Sequence, residues 1–232
     1  MIGIIGAMEE EVTEILKLID LKVQKTYLEY TFYEGTMNGR SVVLLQGGIG
    51  KVNAAISTTL LLTHYEVGLV LNVGSAGGLL PQMQNVGDVV ISSQVVHHDV
   101  DVTAFQRVYG EVPGMPLYFT ADQALLASVQ EILQQQNISS HIGLIASGDQ
   151  FICQDEQVEQ IVNHFPQAMC AEMEAAAIAQ VCHVFGIPFI ITRSLSDVFH
   201  KGENAVQFDE YLKKASQASA QMCYALVSSL EQ

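Results

Sequence analysis

Along most of this chain, apolar runs of strand length alternate with segments whose apolar residues recur at helical spacing. Ile2 to Ala7 is continuously apolar, the pattern of a strand buried on both faces. Glu9 to Ile19 follows, with Val12, Ile15, Leu16 and Ile19 on one helical face. Its first turn holds three acids, where the helix dipole favours negative charge. Tyr30 to Met37 and Ser41 to Leu45 flank Asn38-Gly39, a pair that predicts a hairpin turn. Further strands are predicted over Leu69–Val73, Asp88–Val96, Ile142–Ala146, Ala168–Glu172 and Phe189–Ser194. Helices are predicted over Lys51–Tyr65, Asp122–Gln136, Gln154–His164, Glu174–Phe185 and Phe208–Leu230. This alternation predicts an α/β fold around a mainly parallel sheet. The early hairpin and the long stretch between Val96 and Asp122 predict a mixed sheet with excursions. No repeat, linker or low-complexity tract divides the sequence, so a single domain over residues 1–232 is expected.

Ligands of such sheets bind at the carboxyl ends of the strands. Four places there carry chemistry. Met8 and Glu9 to Glu11 follow the first strand, and Gly74-Ser75-Ala76-Gly77-Gly78 reads as a glycine-rich turn after the Leu69 strand. Glu172, Met173 and Glu174 follow the Ala168 strand, and Ser196 and Asp197 follow the Phe189 strand. Each has an ordinary reading alone: dipole-satisfying acids, a helix cap, a loop aspartate, a tight bend. Together they bring acids from distant stretches to one sheet edge, where like charges raise one another's pKa. Glycosidic hydrolysis needs such a set: one carboxylate to activate water, one to stabilise an oxocarbenium-like transition state, and a protonated one for the leaving group. The residues permit that reaction without selecting it.

Composition narrows the partners. The net charge is -15, and nucleic-acid binding needs clustered Lys and Arg, so no nucleic-acid partner is expected. No apolar run reaches membrane-spanning length, and the N-terminus lacks the basic region of a signal peptide. A cytoplasmic protein is expected. Cys153, Cys170, Cys182 and Cys223 form no C-x-x-C pair and read as small buried hydrophobes. His97 and His98, near Asp99 and Asp101, could suggest a metal. Adjacent strand residues point to opposite faces, so a polar strand end is favoured, and neither metal nor cofactor is expected.

The segments GIIGAMEEEV, GGIGKVNAA, NVGSAGGL, HDVDVTAF, SGDQFI, AEMEAAAIA and RSLSDV resemble the bacterial 5′-methylthioadenosine/S-adenosylhomocysteine nucleosidases across essentially the whole chain. The resemblance implies a nucleoside phosphorylase-like, three-layer α/β/α sandwich with a central mixed sheet. It implies hydrolysis of both named nucleosides, and of 5′-deoxyadenosine. Glu11 would activate water, Glu174 would bind the ribose hydroxyls and steady the cationic sugar, and Asp197 would protonate adenine N7, with Ser196 holding its loop. Phe151 would stack on the purine and the Ile152 backbone would read its edge. Ser75 and Arg193 would order the water and Glu174. Gly77 and Glu172 are further expected substrate contacts, and Met173 would pack on the ribose. Met8, Ile49 and Phe208 would line the 5′-substituent pocket. Val102, Phe105 and Pro113 would reach in from the other subunit of a homodimer.

Related phosphorylases carry phosphate-clamping arginines in the loop after the first strand and just before the VGS turn. Here those places hold Ala7 to Glu11 and Asn72, which suits water rather than phosphate. The family often has an aromatic residue where this chain has Arg107, whose stem can cover apolar surface or whose charge can meet a homocysteine carboxylate. The competing readings are a phosphate-dependent purine nucleoside phosphorylase, an aminodeoxyfutalosine nucleosidase and a non-enzymatic nucleoside-binding protein.

Overall fold

A computed structural model describes residues 1–199 and 204–230, with the backbone alone for 204–210. The strands are β1 (Ile2–Gly6), β2 (Asp20–Tyr27), β3 (Tyr30–Met37), β4 (Arg40–Gln46), β5 (Leu69–Gly78), β6 (Val89–His97), β7 (Phe119–Thr120), β8 (Ser140–Ser147), β9 (Ala168–Glu172) and β10 (Phe189–Val198). The helices are α1 (Glu9–Leu16), α2 (Lys51–His64), α3 (Gln123–Gln135), α4 (Asp155–His164), α5 (Ala175–Phe185) and α6 (Asn204–Ser229), with a short 3-10 turn at Thr103–Phe105.

All ten strands join one mixed sheet in the order β10-β6-β8-β9-β5-β1-β4-β3-β2, with β7 beside β6. β1 runs parallel to β4 and β5, and β10 parallel to β5. β10 also pairs antiparallel with β6, and β5 antiparallel with β9 at Gly77 and Gly78. The path β5-β10-β6-β8-β9 therefore returns to β5, so this half of the sheet curls around its own strand ends. α1, α3 and α6 pack together, and α2 packs on α5. The result is the layered α/β fold expected from the alternation.

Local chemistry explains the elements. Every residue of β1 and of β10 is buried, matching their continuous apolar character. Asn38 and Gly39 both adopt positive φ (48° and 77°), as a two-residue hairpin turn requires. The Asp122 carboxylate caps α3 by accepting from the N–H groups of Ala124 and Leu125.

Three differences from the expected pattern have physical causes. β2 escapes the pattern because it pairs with β3 alone at the sheet edge, and most of its side chains stay exposed on both faces. The stretch Gly74–Gly78 is not a turn: β5 runs through it, and β10 runs through Ser196-Asp197 beside it. A bulge between Leu195 and Asp197 lets the two strands stay paired to Val198. Cys153 is exposed, whereas the other three cysteines are buried. Among the described residues, no helix is long and apolar enough to cross a membrane.

Candidate active site

Strand ends, helix starts and one loop enclose a cavity of about 250 Å³ at the curled part of the sheet. Among the described residues, four acids reach it, each buried: Glu11, Glu172, Glu174 and Asp197. Glu9 and Glu10 point to solvent, and theirs is the plain role of acids in a helix's first turn.

Glu11 is the third residue of α1, and its carboxylate turns back over the helix start. Oε2 accepts from the N–H groups of Ala7 (2.8 Å) and Met8 (3.1 Å), and Oε1 from that of Ser75 (3.2 Å). Burial raises its pKa, opposed by the Arg193 charge and those three backbone donors. A carboxylate thus fills the cluster of backbone N–H groups at a helix N-terminus where an anion would otherwise bind.

Glu172 ends β9 and is heavily satisfied. It accepts from the Ser147 hydroxyl and from the N–H groups of Glu174 (3.0 Å) and Ala175 (2.9 Å). It also pairs with Arg193 through Nη2 at 2.6 Å. Arg193, buried to 1% exposure, also donates to Asn72 Oδ1 (2.6 Å) and the Thr192 carbonyl (3.1 Å). Asn72 in turn donates to the Ile5 carbonyl. Glu172 and Arg193 therefore form the internal ion pair of the site floor.

Glu174 stands at the N-cap of α5 and accepts from the Gly50 N–H at 2.9 Å. Burial and then the neighbouring Glu172 charge raise its pKa to about 8, against Arg193 and the Gly50 donor. Asp197 has the Ser196 hydroxyl on Oδ1 at 2.9 Å, while its buried Oδ2 has no hydrogen-bond partner among the described residues. Burial lifts its pKa to about 6, opposed by the Ser196 bond.

The floor between these acids is bare backbone. A Cβ added at Gly74 would lie 3.0 Å from Glu11 Oε1, and one at Gly77 would lie 3.1 Å from Asp197 Oδ2. That is why β5 carries glycine there: acids from α1 and β10 occupy the space its own side chains would take.

The remaining expected residues divide. Met8, Ile49, Ser75, Gly77, Phe151, Ile152, Met173 and Ser196 all line the cavity. Phe151 and Ile49 are 45% and 54% exposed, at its mouth. Val102, Phe105 and Pro113 do not line it within this chain, and Phe105 is 79% exposed. The Phe208 side chain lies outside the described residues. Arg107 pairs with Glu111 at 2.8 Å on the surface rather than facing the cavity. Sequence reasoning missed the Gly50 donor, the Ser147 hydroxyl and the apolar wall of Leu79, Val158 and Phe199. Gly50, at φ +93° in a GGIGK stretch, is the one of these with a readable signal.

The chain matches the model of the phosphorylase superfamily over residues 1–231. It is 48% identical over 230 residues to the 5′-methylthioadenosine/S-adenosylhomocysteine nucleosidase of Anoxybacillus flavithermus (strain DSM 21510 / WK1), covering 99% of this chain and 98% of that one. Its fold matches the nucleosidase of that name from Neisseria meningitidis, solved in complex with methylthio-immucillin-A, at a TM-score of 0.94, with 40% identity and 99% of both chains covered. It also matches the futalosine hydrolase of Helicobacter pylori strain 26695 at a TM-score of 0.92 and 34% identity, covering 99% of this chain and 97% of that one. By fold and by similarity along its full length, the chain belongs to the phosphorylase superfamily, among its 5′-methylthioadenosine/S-adenosylhomocysteine nucleosidases.

Proposed function

We propose that this chain hydrolyses the N-glycosidic bond of 5′-methylthioadenosine and S-adenosylhomocysteine, acting as one domain over residues 1–232. The carrying observation is the meeting of Glu11, Glu174 and Asp197 in one cavity beside Phe151. In this reading adenine stacks on Phe151, and buried Asp197 gives its proton to N7. With a pKa of about 6, roughly one molecule in ten holds that proton at pH 7. As the bond from the ribose anomeric carbon to N9 breaks, its electron pair leaves with adenine. Glu174, when ionised, steadies the positive charge left on the sugar. Water attacks that carbon, and Glu11 takes its proton. The products are adenine and the 5-thio-substituted ribose.

Water rather than phosphate is favoured by two features. The Glu11 carboxylate already occupies the backbone N–H cluster after β1. Four of the five N–H donors of Arg193 are engaged by Glu172, Asn72 and Thr192, leaving a poor clamp for a dianion. Among the described residues, a phosphorylase reading finds only Arg193, already paired with Glu172, as a cation for its second substrate.

We place the enzyme in the cytoplasm as a homodimer. Three buried free thiols fit a reducing compartment. Val52, Ile56, Val184 and Phe185 are exposed along one groove of α2 and α5, an apolar surface of the kind that protein contacts cover. Phe105 and Val108, also exposed, supply further apolar surface for a partner.

The test is adenine release from a panel of 5′-substituted adenosines and aminodeoxyfutalosine, with and without phosphate. Turnover of the two thio-nucleosides in phosphate-free buffer, yielding a reducing sugar, is expected. Phosphate dependence would install the phosphorylase, and preference for aminodeoxyfutalosine would favour the activity suggested by the Helicobacter futalosine hydrolase. Unreacted ligand throughout would leave a binding protein. Light scattering showing an active monomer would remove the dimer.

A further inference from the structure

Outside the cavity, three charged residues from distant stretches meet, two of them, Lys51 and Asp99, with side chains largely covered and Asp149 exposed. Lys51 opens α2, Asp99 follows β6 and Asp149 follows β8. The Lys51 ammonium pairs with Asp99 Oδ1, the side chains being 17% and 21% exposed. Asp99 Oδ2 accepts from the Asp149 N–H at 2.9 Å. Asp149 Oδ1 accepts from the Lys51 N–H at 2.7 Å, which closes a ring of three hydrogen bonds. Burial works against an ionised Asp99, but Lys51 and the Asp149 donor outweigh it and hold the carboxyl below its ordinary range.

The ring's neighbours in sequence are site residues. Gly50, just before Lys51, donates its N–H to Glu174. Gln150, Phe151 and Ile152, just after Asp149, line the cavity. The packing there is tight: a Cβ at Gly50 would lie 3.2 Å from Asp149 Oδ1, and one at Gly148 would lie 2.4 Å from the His98 ring.

We propose that Asp99 is a positioning residue for the reaction, tying the α2 start and the Phe151 loop together so that the Gly50 N–H meets Glu174 while Phe151 and Ile152 frame the purine. This rests on the nucleosidase reading above. Asp99 touches no reacting atom. It acts by bracing two segments whose other direct tie in the ring is the Lys51 N–H to Asp149 bond, one segment for the sugar side of the bond and one for the base side. Misplacement of such segments by about 1 Å costs rate out of proportion to the stability lost.

The chain has no Trp, so Gln150→Trp would supply a single tryptophan inside the loop, excited selectively over the eight tyrosines. The experiment measures steady-state kinetics on methylthioadenosine and melting temperature for Asp99→Asn. It also measures Trp anisotropy for that change in the Gln150→Trp background. An asparagine offers one acceptor oxygen where the ring uses two. The expected result is a KM raised about tenfold or more, a smaller fall in kcat, lowered anisotropy and a nearly unchanged melting temperature. Lys51→Met is expected to reproduce the loss and Lys51→Arg to restore most of it. If Asp99→Asn does not fold, the two Lys51 variants decide alone. Kinetics within twofold of the parent, or an anisotropy unchanged from the parent's, in Asp99→Asn or in Lys51→Met, would overturn the proposal. A parent that releases no adenine would instead overturn the nucleosidase reading, and the anisotropy comparison would still judge the ring.

Discussion

The β9–α5 junction and the far end of β10 both deliver a buried carboxylate to the cavity, and they treat it in opposite ways. Glu172 meets a hydroxyl, two backbone N–H groups and a guanidinium. Asp197 meets one hydroxyl, and among the described residues its second oxygen has no partner. A carboxylate saturated with donors serves as a fixed counterion, here for Arg193. A carboxylate buried with few donors favours its proton and keeps it available for transfer. Burial alone does not separate the two; the supply of donors does. Glu174 lies between these cases, with a single backbone donor and Glu172 close by.

The largest expected effect falls on the β10 side. Asp197→Asn keeps the shape and removes the transferable proton, so kcat for adenine release drops by about 10²–10⁴-fold. The melting temperature stays close to the parent's, and Glu11→Gln gives a similar loss. Near-normal turnover in Asp197→Asn would erase the distinction drawn here.

On the β9 side the effect is on stability. Glu172→Gln leaves the Arg193 charge buried without its counterion, which costs about 3–5 kcal/mol in urea unfolding. A loss below about 1 kcal/mol would show that Asn72 and Thr192 suffice for the guanidinium.

The intermediate case sharpens the contrast. The Glu174 pKa is raised from 4.5 to about 8 on folding. The stability linked to its proton is full below the unfolded value and drains away as pH climbs through the folded one. Glu174→Gln never ionises, so at pH 9 it unfolds less readily than the parent by on the order of 1–3 kcal/mol. That advantage vanishes near pH 4. Equal stabilities at both pH values would mean that the Glu174 charge is already compensated.

The smallest effect is a shape. The ionised fraction of Glu174 rises with pH up to about 8, while the protonated fraction of Asp197 falls above about 6. Their product climbs to about pH 6, stays level to about pH 8 and declines beyond. A kcat/KM profile that keeps climbing past pH 9 would detach Asp197 from the acid role.

Much of this site was legible in the sequence because periodicity reveals where strands end and helices begin. Glu11, Glu174 and Asp197 each sit at or near such a boundary, and the sheet geometry carries all three to one edge. What stayed hidden depends on partners far away in the chain. Nothing in the stretch around Asn72 signals that its amide will hold Arg193, and nothing around Gly50 names Glu174 as its acceptor. The glycine run was readable as special but not as strand. Its neighbour β10 and the acids that lean across it exist only after folding. β2 was invisible for a simpler reason: an edge strand exposed on both faces has no reason to alternate.

The bare stretch of β5 beneath the acids has a consequence for inhibition. A compound resting on Gly74 and Gly77 lies on main chain, which offers no side chain to trim or exchange. The only way to crowd it out by point substitution is to add a side chain there. A side chain added at Gly74 or Gly77 begins 3.0–3.1 Å from Glu11 or Asp197, so it presses on an acid of the site as well as on the drug. Escape through this surface would disarm the enzyme it protects.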